Sequence, residues 1–172
     1  MRFISVLRPC LLALGLLVAC AAVAQDAKPS ATVRFDGDFA TPLTLDRAAL
    51  AKLPRITVTA SDHGKEGTWQ GVAFADLLKQ AGAPLGEALR GAKLASYLVV
   101  GATDGYRVVF SLAEFDDAFG ATKAILADTR DGQPLSDHEG PFRLIVPDEK
   151  RPGRWVRQVD HIELRTAAAA AR

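Results

Sequence analysis

The chain of 172 residues contains two cysteines, and both lie near its start, at Cys10 and Cys20. The rest of the sequence must therefore fold without a disulfide bridge, a cysteine-ligated zinc ion or a thiol nucleophile. Because no covalent crosslink is available, the hydrophobic core alone has to stabilise the fold. A domain of about 150 residues can meet this condition, since folding then buries roughly 70% of the surface of the unfolded chain. The sequence thus predicts one domain.

The N-terminus, residues 1–24, has the pattern of a secretory signal peptide. A positively charged start precedes an apolar run at residues 11–19, which is too short to span a bilayer comfortably, and residues 22–24 form a small-x-small cleavage motif. We predict cleavage after this motif and export to the periplasm. An alternative stays open, because the Leu-Val-Ala-Cys that ends at Cys20 resembles a lipobox. Cys20 would then be the lipidated first residue of an anchored lipoprotein, and neither interpretation includes a transmembrane span.

The remaining sequence divides into three parts. Residues 25–31 are polar and predict a flexible leader, and residues 32–165 form the predicted domain. Residues 166–172 are rich in alanine and predict a disordered tail. No internal repeat or long linker divides the middle of the chain.

The charge balance argues against a nucleic-acid partner. Removing the signal peptide takes two arginines from the 21 basic residues and none of the 20 acidic residues, which leaves a net charge of −1. Phosphate backbones require a concentrated positive surface. One short segment is basic, and it is either a solvated loop or an anion clamp beside a pocket. It contains Lys150, Arg151, Arg154 and Arg157.

Two short helices are indicated by apolar spacing and by capping residues. Phe74, Leu77, Leu78 and Ala81 follow the i, i+3, i+4, i+7 pattern of an amphipathic helix. Asp46 has the position of an N-cap for a helix that runs to residue 53.

Several short strands are indicated between and after these helices. Residues 56–59 form a β-branched run, and the Asp104-Gly105 turn between the apolar residues 94–100 and 106–110 predicts a hairpin. Strands and helices alternate irregularly, unlike the regular βαβ repeat of a doubly wound sheet. We therefore predict an α+β fold with a mixed or barrel-like β-sheet and scattered helices.

Five motifs occur in a fixed order along residues 45–164. They are Gly67-Thr68-Trp69-Gln70-Gly71-Val72, Asp104-Gly105-Tyr106, Asp131-Gly132-Gln133-Pro134-Leu135, Gly140-Pro141-Phe142-Arg143-Leu144-Ile145-Val146-Pro147 and Arg154-Trp155-Val156. In this order they resemble the molybdopterin-binding domain of sulfite-oxidase-type oxidoreductases. The resemblance implies the fold of that domain and a pocket for a pterin.

The resemblance departs from the family at one position. In the family, a strand like residues 56–59 normally runs into the cysteine that binds molybdenum, but Ala60 and Ser61 stand there in this chain. Neither side chain replaces a soft thiolate as a metal ligand. The chain therefore resembles short, cysteine-lacking periplasmic members that bind pterins and report to membrane signalling enzymes.

This resemblance implies a pterin or molybdopterin-like ligand without molybdenum, no catalytic residues, and a periplasmic sensor domain of a membrane signalling protein as partner. Two alternatives remain. The chain is a molybdopterin-dependent oxidoreductase with an atypical, non-cysteine metal site, or it is a structural protein whose pocket is filled.

A pterin is a flat ring system with a guanidine-like edge, so its site needs a stacking surface and acceptors for N–H groups. Trp69, Tyr106 and Trp155 are the aromatic candidates, and each tryptophan is equally consistent with a core position. Asp104 is either an acceptor for the ring or an Asx-turn residue.

Three further residues complete the predicted ligand site. Arg143 alternates with apolar residues, so its charge is either buried and paired or faces a cavity. His63 occupies the loop where the family's metal ligand would lie, and Arg154 precedes Trp155. Each of the three histidines follows an aspartate, but adjacent residues on a strand point to opposite faces, so we predict no metal site.

Overall fold

The structure is a computed structural model that describes residues 31–168. The predicted signal peptide, residues 25–30 of the predicted leader and residues 169–172 of the predicted tail lie outside the described residues. Among the described residues, no helix has the length and apolar character needed to cross a membrane.

Ten strands and two α-helices make up the described fold. The strands are Thr32–Gly37 (β1), Leu43–Asp46 (β2), Arg55–Asp62 (β3), Lys65–Ala73 (β4), Ser96–Ala102 (β5), Arg107–Ser111 (β6), Ile125–Arg130 (β7), Gln133–Pro134 (β8), Arg143–Ile145 (β9) and Val159–Thr166 (β10). The α-helices are Arg47–Ala51 (α1) and Phe74–Gln80 (α2). Short 3₁₀ helices lie at Gly86–Ala88, Gly91–Ala95, Leu112–Phe115 and Pro152–Arg154.

The strands form two sheets. The first has the order β2-β1-β10-β5-β6, and the second has the order β3-β4-β7-β8 with β9 also paired to β7. Strand β1 runs parallel to β10, whereas the other pairs are antiparallel, so the first sheet is mixed. The predicted α+β fold with a mixed sheet and few helices is confirmed. The barrel-like form is not found, since no strand pairing among residues 31–168 closes either sheet.

One hydrophobic cluster joins both sheets and both helices. Phe35 comes from the first sheet, Trp69 from the second, and Leu50 and Leu77 from the two helices, and each is at most 1% exposed. A single shared core is what a domain without crosslinks requires.

The predicted helices are present, with small differences in length. The side chain of Asp46 accepts a hydrogen bond from the backbone N–H of Ala49 at 2.7 Å, so it caps α1 as expected. This helix ends at Ala51, two residues before the predicted end at Leu53. Helix α2 buries Phe74, Leu77 and Leu78, as their spacing predicts.

The predicted hairpin around Asp104-Gly105 is formed by β5 and β6. Strand β5 begins at Ser96 rather than at Leu94, because residues 91–95 form a 3₁₀ helix. At the other end of the chain, Thr166 belongs to β10 and pairs with Ser96, and the N–H of Ala167 bonds to Ala95. Folded structure thus extends past the predicted domain boundary at residue 165.

Strand β4 was not predicted from the sequence. It forms a hairpin with β3 and also pairs with β7, so it lies inside the second sheet. Because β4 is central in the sheet, its Trp69 lies in the core. The turn that joins β3 to β4 lies at the edge of a cavity.

Candidate functional site

A cavity of about 570 Å³ opens where several chain segments meet. Asp62 at the end of β3, residue 63 of the β3–β4 turn and residues 104 and 106 of the β5–β6 connection contribute to its wall. Arg130 at the end of β7, residues 136, 138 and 139, Arg143 of β9 and the loop 152–157 complete it. Residues that are far apart in the sequence therefore line one cavity.

The turns that border the cavity are fixed by local chemistry. His63 and Gly64 connect β3 to β4 with φ angles of 51° and 80°, a left-handed pair typical of tight hairpins. Asp104 Oδ1 accepts a hydrogen bond from the backbone N–H of Tyr106 at 2.9 Å, which is an Asx turn. The hydroxyl of Tyr106 donates to the carbonyl of Gly153 at 2.6 Å and so ties two cavity loops together.

A chain of alternating charges runs along one wall. Arg143 is only 4% exposed, and its Nη2 lies 2.9 Å from Asp62 Oδ2. Its Nη1 bonds to Glu139, which also accepts from Arg130 at 3.2 Å. Arg130 in turn lies 3.5 Å from Asp131. Because each arginine is held between carboxylates, this wall carries no excess positive charge.

An aromatic layer supports this wall. Trp155 is 3% exposed, lines the cavity, and donates from its indole N–H to the carbonyl of Val146 at 2.9 Å. Trp69 packs edge-on against it, with ring centroids 5.6 Å apart. The guanidinium carbons of Arg130 and Arg143 lie 4.7 Å and 5.8 Å from the centroids of Trp69 and Trp155, respectively. These distances are in the range of cation–π contacts.

Five of the seven residues predicted to bind a ligand line this cavity. They are His63, Asp104, Tyr106, Arg143 and Trp155. Asp104 forms the Asx turn and also lines the cavity, whereas its role as an acceptor for a ligand ring stays a prediction. Arg143 is buried and paired, and it also lines the cavity.

The other two predicted residues lie elsewhere. Trp69 is fully buried behind Trp155 and supports the wall without lining it. Arg154 bonds to Glu149 and Glu114, and its guanidinium lies 4.2 Å from the ring centroid of Phe110. Its charge is neutralised by these two carboxylates, which hold it out of the cavity.

The basic segment does not act as one clamp. Lys150 and Arg151 line an adjoining hollow of about 660 Å³. Arg157 lines the cavity itself, where it contacts His138. With Arg154 paired to carboxylates, the four cations lie in three different environments.

The predicted site did not include the two carboxylates that pair with Arg143, Asp62 and Glu139. Asp62 is the last residue of β3, so it shares a strand face with Ala60. That strand alternation was the available signal for Asp62. Glu139 approaches Arg143 through the turn before Pro141, and no spacing rule for strands or helices predicts that approach.

Comparison with known proteins assigns the family. The model of the oxidoreductase molybdopterin-binding domain matches residues 21–171, most of the chain. The chain belongs to this family. The resemblance to sulfite-oxidase-type domains predicted from the five motifs is therefore confirmed.

A solved structure shows the same fold. The sulfane dehydrogenase SoxCD from Paracoccus pantotrophus aligns with a TM-score of 0.62 and 19% sequence identity, over 78% of this chain and 38% of that chain. At this identity the likeness establishes the fold alone, and the chain spans well under half the length of that SoxCD chain. No curated protein sequence matches the chain significantly.

The residues present fit the organic part of the family's cofactor better than its metal. The cavity volume is within the usual range for small-molecule sites, and two of its buried polar atoms, Asp62 Oδ1 and Arg143 Nε, have no hydrogen-bond partner. Residues 31–168 contain no cysteine, and Ala60 and Ser61, the two residues expected near the family's cysteine position, do not line the cavity. Within residues 31–168, no three His, Cys, Asp or Glu side chains are grouped to hold a metal ion.

Proposed function

We propose that this chain is an exported, non-catalytic domain that binds a pterin-type ligand in the cavity and acts in sensing or in passing the ligand to a partner. One observation carries the proposal. Five residues chosen from the sequence for pterin chemistry, from segments far apart in the chain, line a single cavity of about 570 Å³.

The wall chemistry suits a flat, hydrogen-bonding heterocycle. Trp155 offers an indole edge beside the guanidinium of Arg143, and Tyr106 is half exposed at the cavity rim. Aromatic rings and guanidinium groups both stack on π systems. Asp62 and Asp104 supply acceptors for ring N–H groups, and Arg157 supplies a donor.

The absence of molybdenum chemistry is part of the proposal. It is supported by Ala60 and Ser61, the residues expected near the family's cysteine position, since neither side chain supplies a soft thiolate ligand. A domain that binds its ligand without metal chemistry has no redox centre of its own, so we propose sensing or ligand transfer as its role.

Export and the partner are also proposed. They are supported by the N-terminal pattern of charge, apolar run and cleavage motif, which ends at Ala24. A sensing domain outside the cytoplasm requires a partner protein that binds its ligand-bound and ligand-free forms differently. The periplasmic sensor domain of a membrane signalling protein is the partner that we propose.

Isothermal titration calorimetry of the purified protein with a free pterin tests the proposal. We expect saturable binding at micromolar concentration. Tyr106→Ala removes a rim ring and its bond to Gly153, and we expect about fivefold weaker binding, which corresponds to roughly 1 kcal/mol. Tyr97→Ala is the matched control, because Tyr97 is the chain's other tyrosine and lies on β5 outside the cavity lining.

Two results would contradict this function. The first is an absence of saturable heat with every pterin tested. The second is stoichiometric molybdenum in protein purified from its native compartment, which would favour the oxidoreductase with an atypical metal site.

A further inference from the structure

We propose that strand β3 is an interface at which a second copy of this chain pairs antiparallel, across a two-fold axis at Thr59. The pairing joins the second sheets of two copies into one continuous sheet. This inference goes beyond the proposed function and does not depend on a ligand. Strand β3 ends at Asp62, next to His63, and both residues line the cavity, so the interface lies beside the ligand site.

The outer edge of β3 is unpaired in the described fold. Strand β3 is at the end of its sheet, and β4 is its only partner strand among residues 31–168. Its eight residues pair with β4 without a bulge. Because a two-residue turn of left-handed residues, His63 and Gly64, connects the strands, Asp62 and Lys65 are a hydrogen-bonded pair. Every second residue of β3 counted back from Ser61 therefore directs its backbone N–H and C=O away from β4.

Thr68 on β4 shows the same alternation independently. Its N–H donates to the carboxylate of Asp131 at 2.8 Å, and its C=O accepts from the N–H of Asp131 at 2.7 Å. Thr59 lies opposite Thr68 in the register, so these two residues are not bonded to each other. In such an antiparallel pair, both residues point their backbone groups outward. The N–H and C=O of Thr59 thus face the open edge, as do those of Thr57 and Ser61.

Strand β3 lacks the features that usually protect an edge strand. Soluble proteins prevent edge pairing by short length, charged side chains, proline or a bulge. Residues 56–61 contain no charge, proline or bulge, and Thr57, Thr59 and Ser61 are exposed. The other edge strands in residues 31–168 are shorter, since β2, β6, β8 and β9 have four, five, two and three residues. Strand β3 is therefore the longest and least protected edge of the described fold.

A second copy matches this edge in its hydrogen-bonding pattern. With Thr59 at the two-fold axis, Thr57 of each copy lies opposite Ser61 of the other. The three residues whose backbone groups face outward then meet the same three residues of the second copy. Cross-strand pairs of threonine and serine stabilise antiparallel sheets. Such a self-complementary surface is what a two-fold dimer requires.

The charges of β3 also favour a second copy in the antiparallel direction. The strand is basic at its start, Arg55, and acidic at its end, Asp62, with an uncharged middle. Antiparallel pairing brings the basic start of one copy near the acidic end of the other, whereas parallel pairing would bring like charges together. Within its own copy, Arg55 is paired with Asp128, and Asp62 is paired with Arg143. Neither end therefore presents an uncompensated charge that repels the second copy.

Sedimentation equilibrium of the purified protein, with Thr59→Lys as the variant, tests the interface. We expect the unaltered protein to dimerise with a dissociation constant of about 10 to 100 µM, as for an interface below standard size. Thr59→Lys places two like charges opposite each other, so the constant should rise at least about tenfold. Thr44→Lys is the matched control, because Thr44 is also an exposed threonine on an edge strand, β2. It should leave the constant within about twofold of the unaltered value.

A charge-exchange experiment excludes a general loss of folding as the cause. Thr59→Glu alone should also weaken dimerisation, because two carboxylates then lie opposite each other. An equal mixture of the Thr59→Lys and Thr59→Glu variants should dimerise at least as tightly as the unaltered protein, since opposite charges now meet across the axis. Only an interface in which position 59 lies opposite position 59 gives this recovery. A thermal melt of each variant reports its stability separately.

Three results would overturn the proposal. The first is an unaltered protein that stays monomeric up to about 1 mM, which would leave the edge to a strand of another protein. The second is a dimer that Thr59→Lys does not weaken. The third is a mixture of the two variants that stays monomeric although both are folded. Pterin binding is measured separately by calorimetry, so none of these results decides the proposed function.

Discussion

Arg143 is the residue on which the cavity wall most depends. It is almost fully buried, bonds to Asp62 and Glu139, and lies beside Trp155. A buried ion pair contributes little net free energy relative to apolar packing, but removal of one partner leaves uncompensated charge in a low-dielectric site. Arg143 therefore fixes the positions of two carboxylates that sequence reasoning did not find.

Arg143→Met keeps a long apolar side chain and removes the charge. We expect the free energy of unfolding to fall by about 3 kcal/mol, because Asp62 and Glu139 then lose their shared buried cation. Urea denaturation measures this change. Arg165→Met is the control, since Arg165 is half exposed and pairs with Glu163 at the surface, where a pair is worth about 1 kcal/mol or less. Equal losses for the two variants would contradict a structural role for the buried pair.

At the scale of residues, the sequence identified side chains by their chemistry and could not identify their neighbours. Arg143 was chosen because a charge interrupts an apolar run, and Trp155 because a pterin site needs an aromatic stacking surface. Whether Trp69 lines the cavity or supports it from behind depends on which face of β4 it occupies, and β4 itself was not predicted. Arg154 was assigned to the pocket because it precedes Trp155, and its pairing with Glu114, which is 40 residues away in the sequence, could not be predicted.

At the scale of elements, the reliable predictions were those with a local cause. The α1 cap and the β5–β6 hairpin each depend on side chains within a few residues. Strand β4 was not predicted because its sequence begins with Lys65 and Glu66 and contains glycines at 67 and 71. Lysine, glutamate and glycine are all uncommon in strands. Tertiary pairing with both β3 and β7 overrides that local preference.

Gly71, one of the two glycines in β4, lies where the backbones of β4 and β7 come close together. A Cβ atom there would lie 2.1 Å from the carbonyl oxygen of Leu126 and 2.7 Å from the Cα of Ala127, so β4 and β7 approach too closely for any side chain. The strand register also shifts between Gln70 and Gly71. The Gly71 of the Trp-Gln-Gly-Val motif is therefore explained by backbone packing.

Gly71→Ala should lower the free energy of unfolding by about 2 kcal/mol or more, because the added methyl group pushes two paired strands apart. Thermal or urea unfolding measures the loss. Gly153→Ala is the matched control, since a Cβ at Gly153 meets no atom within 4 Å. We expect that control to stay within about 0.5 kcal/mol of the unaltered protein. A tolerated Gly71→Ala would show that the strands can separate without cost.

At the scale of the whole molecule, the order of five weak motifs predicted the family where no single motif could. The order of motifs along the chain follows from the shared fold. The match of the family model over residues 21–171 confirms the predicted family. Of the predicted mixed or barrel-like sheet, the mixed form is found and the barrel-like form is not, because closure depends on which edge strands pair, and β2 and β6 end the first sheet without partners in the described fold. Such long-range pairing has no signature in local composition.

Intact mass spectrometry and metal analysis of protein from its native compartment test the proposals on export and metal together. We expect a chain that begins at Gln25, carries no lipid, and contains no stoichiometric molybdenum. A lipidated N-terminus at Cys20 would support the anchored alternative instead. An uncleaved chain recovered from the cytoplasm would contradict export.

The contact between Trp69 and Trp155 has a practical consequence. These are the only two tryptophans in the sequence, their rings touch edge-on, and only Trp155 borders the cavity. The ultraviolet emission of the protein therefore originates from one pair of indoles at the wall of the cavity. A bound ligand that absorbs in the range of tryptophan emission would quench this fluorescence by energy transfer. The intrinsic fluorescence of the unlabelled protein therefore indicates whether the cavity is occupied.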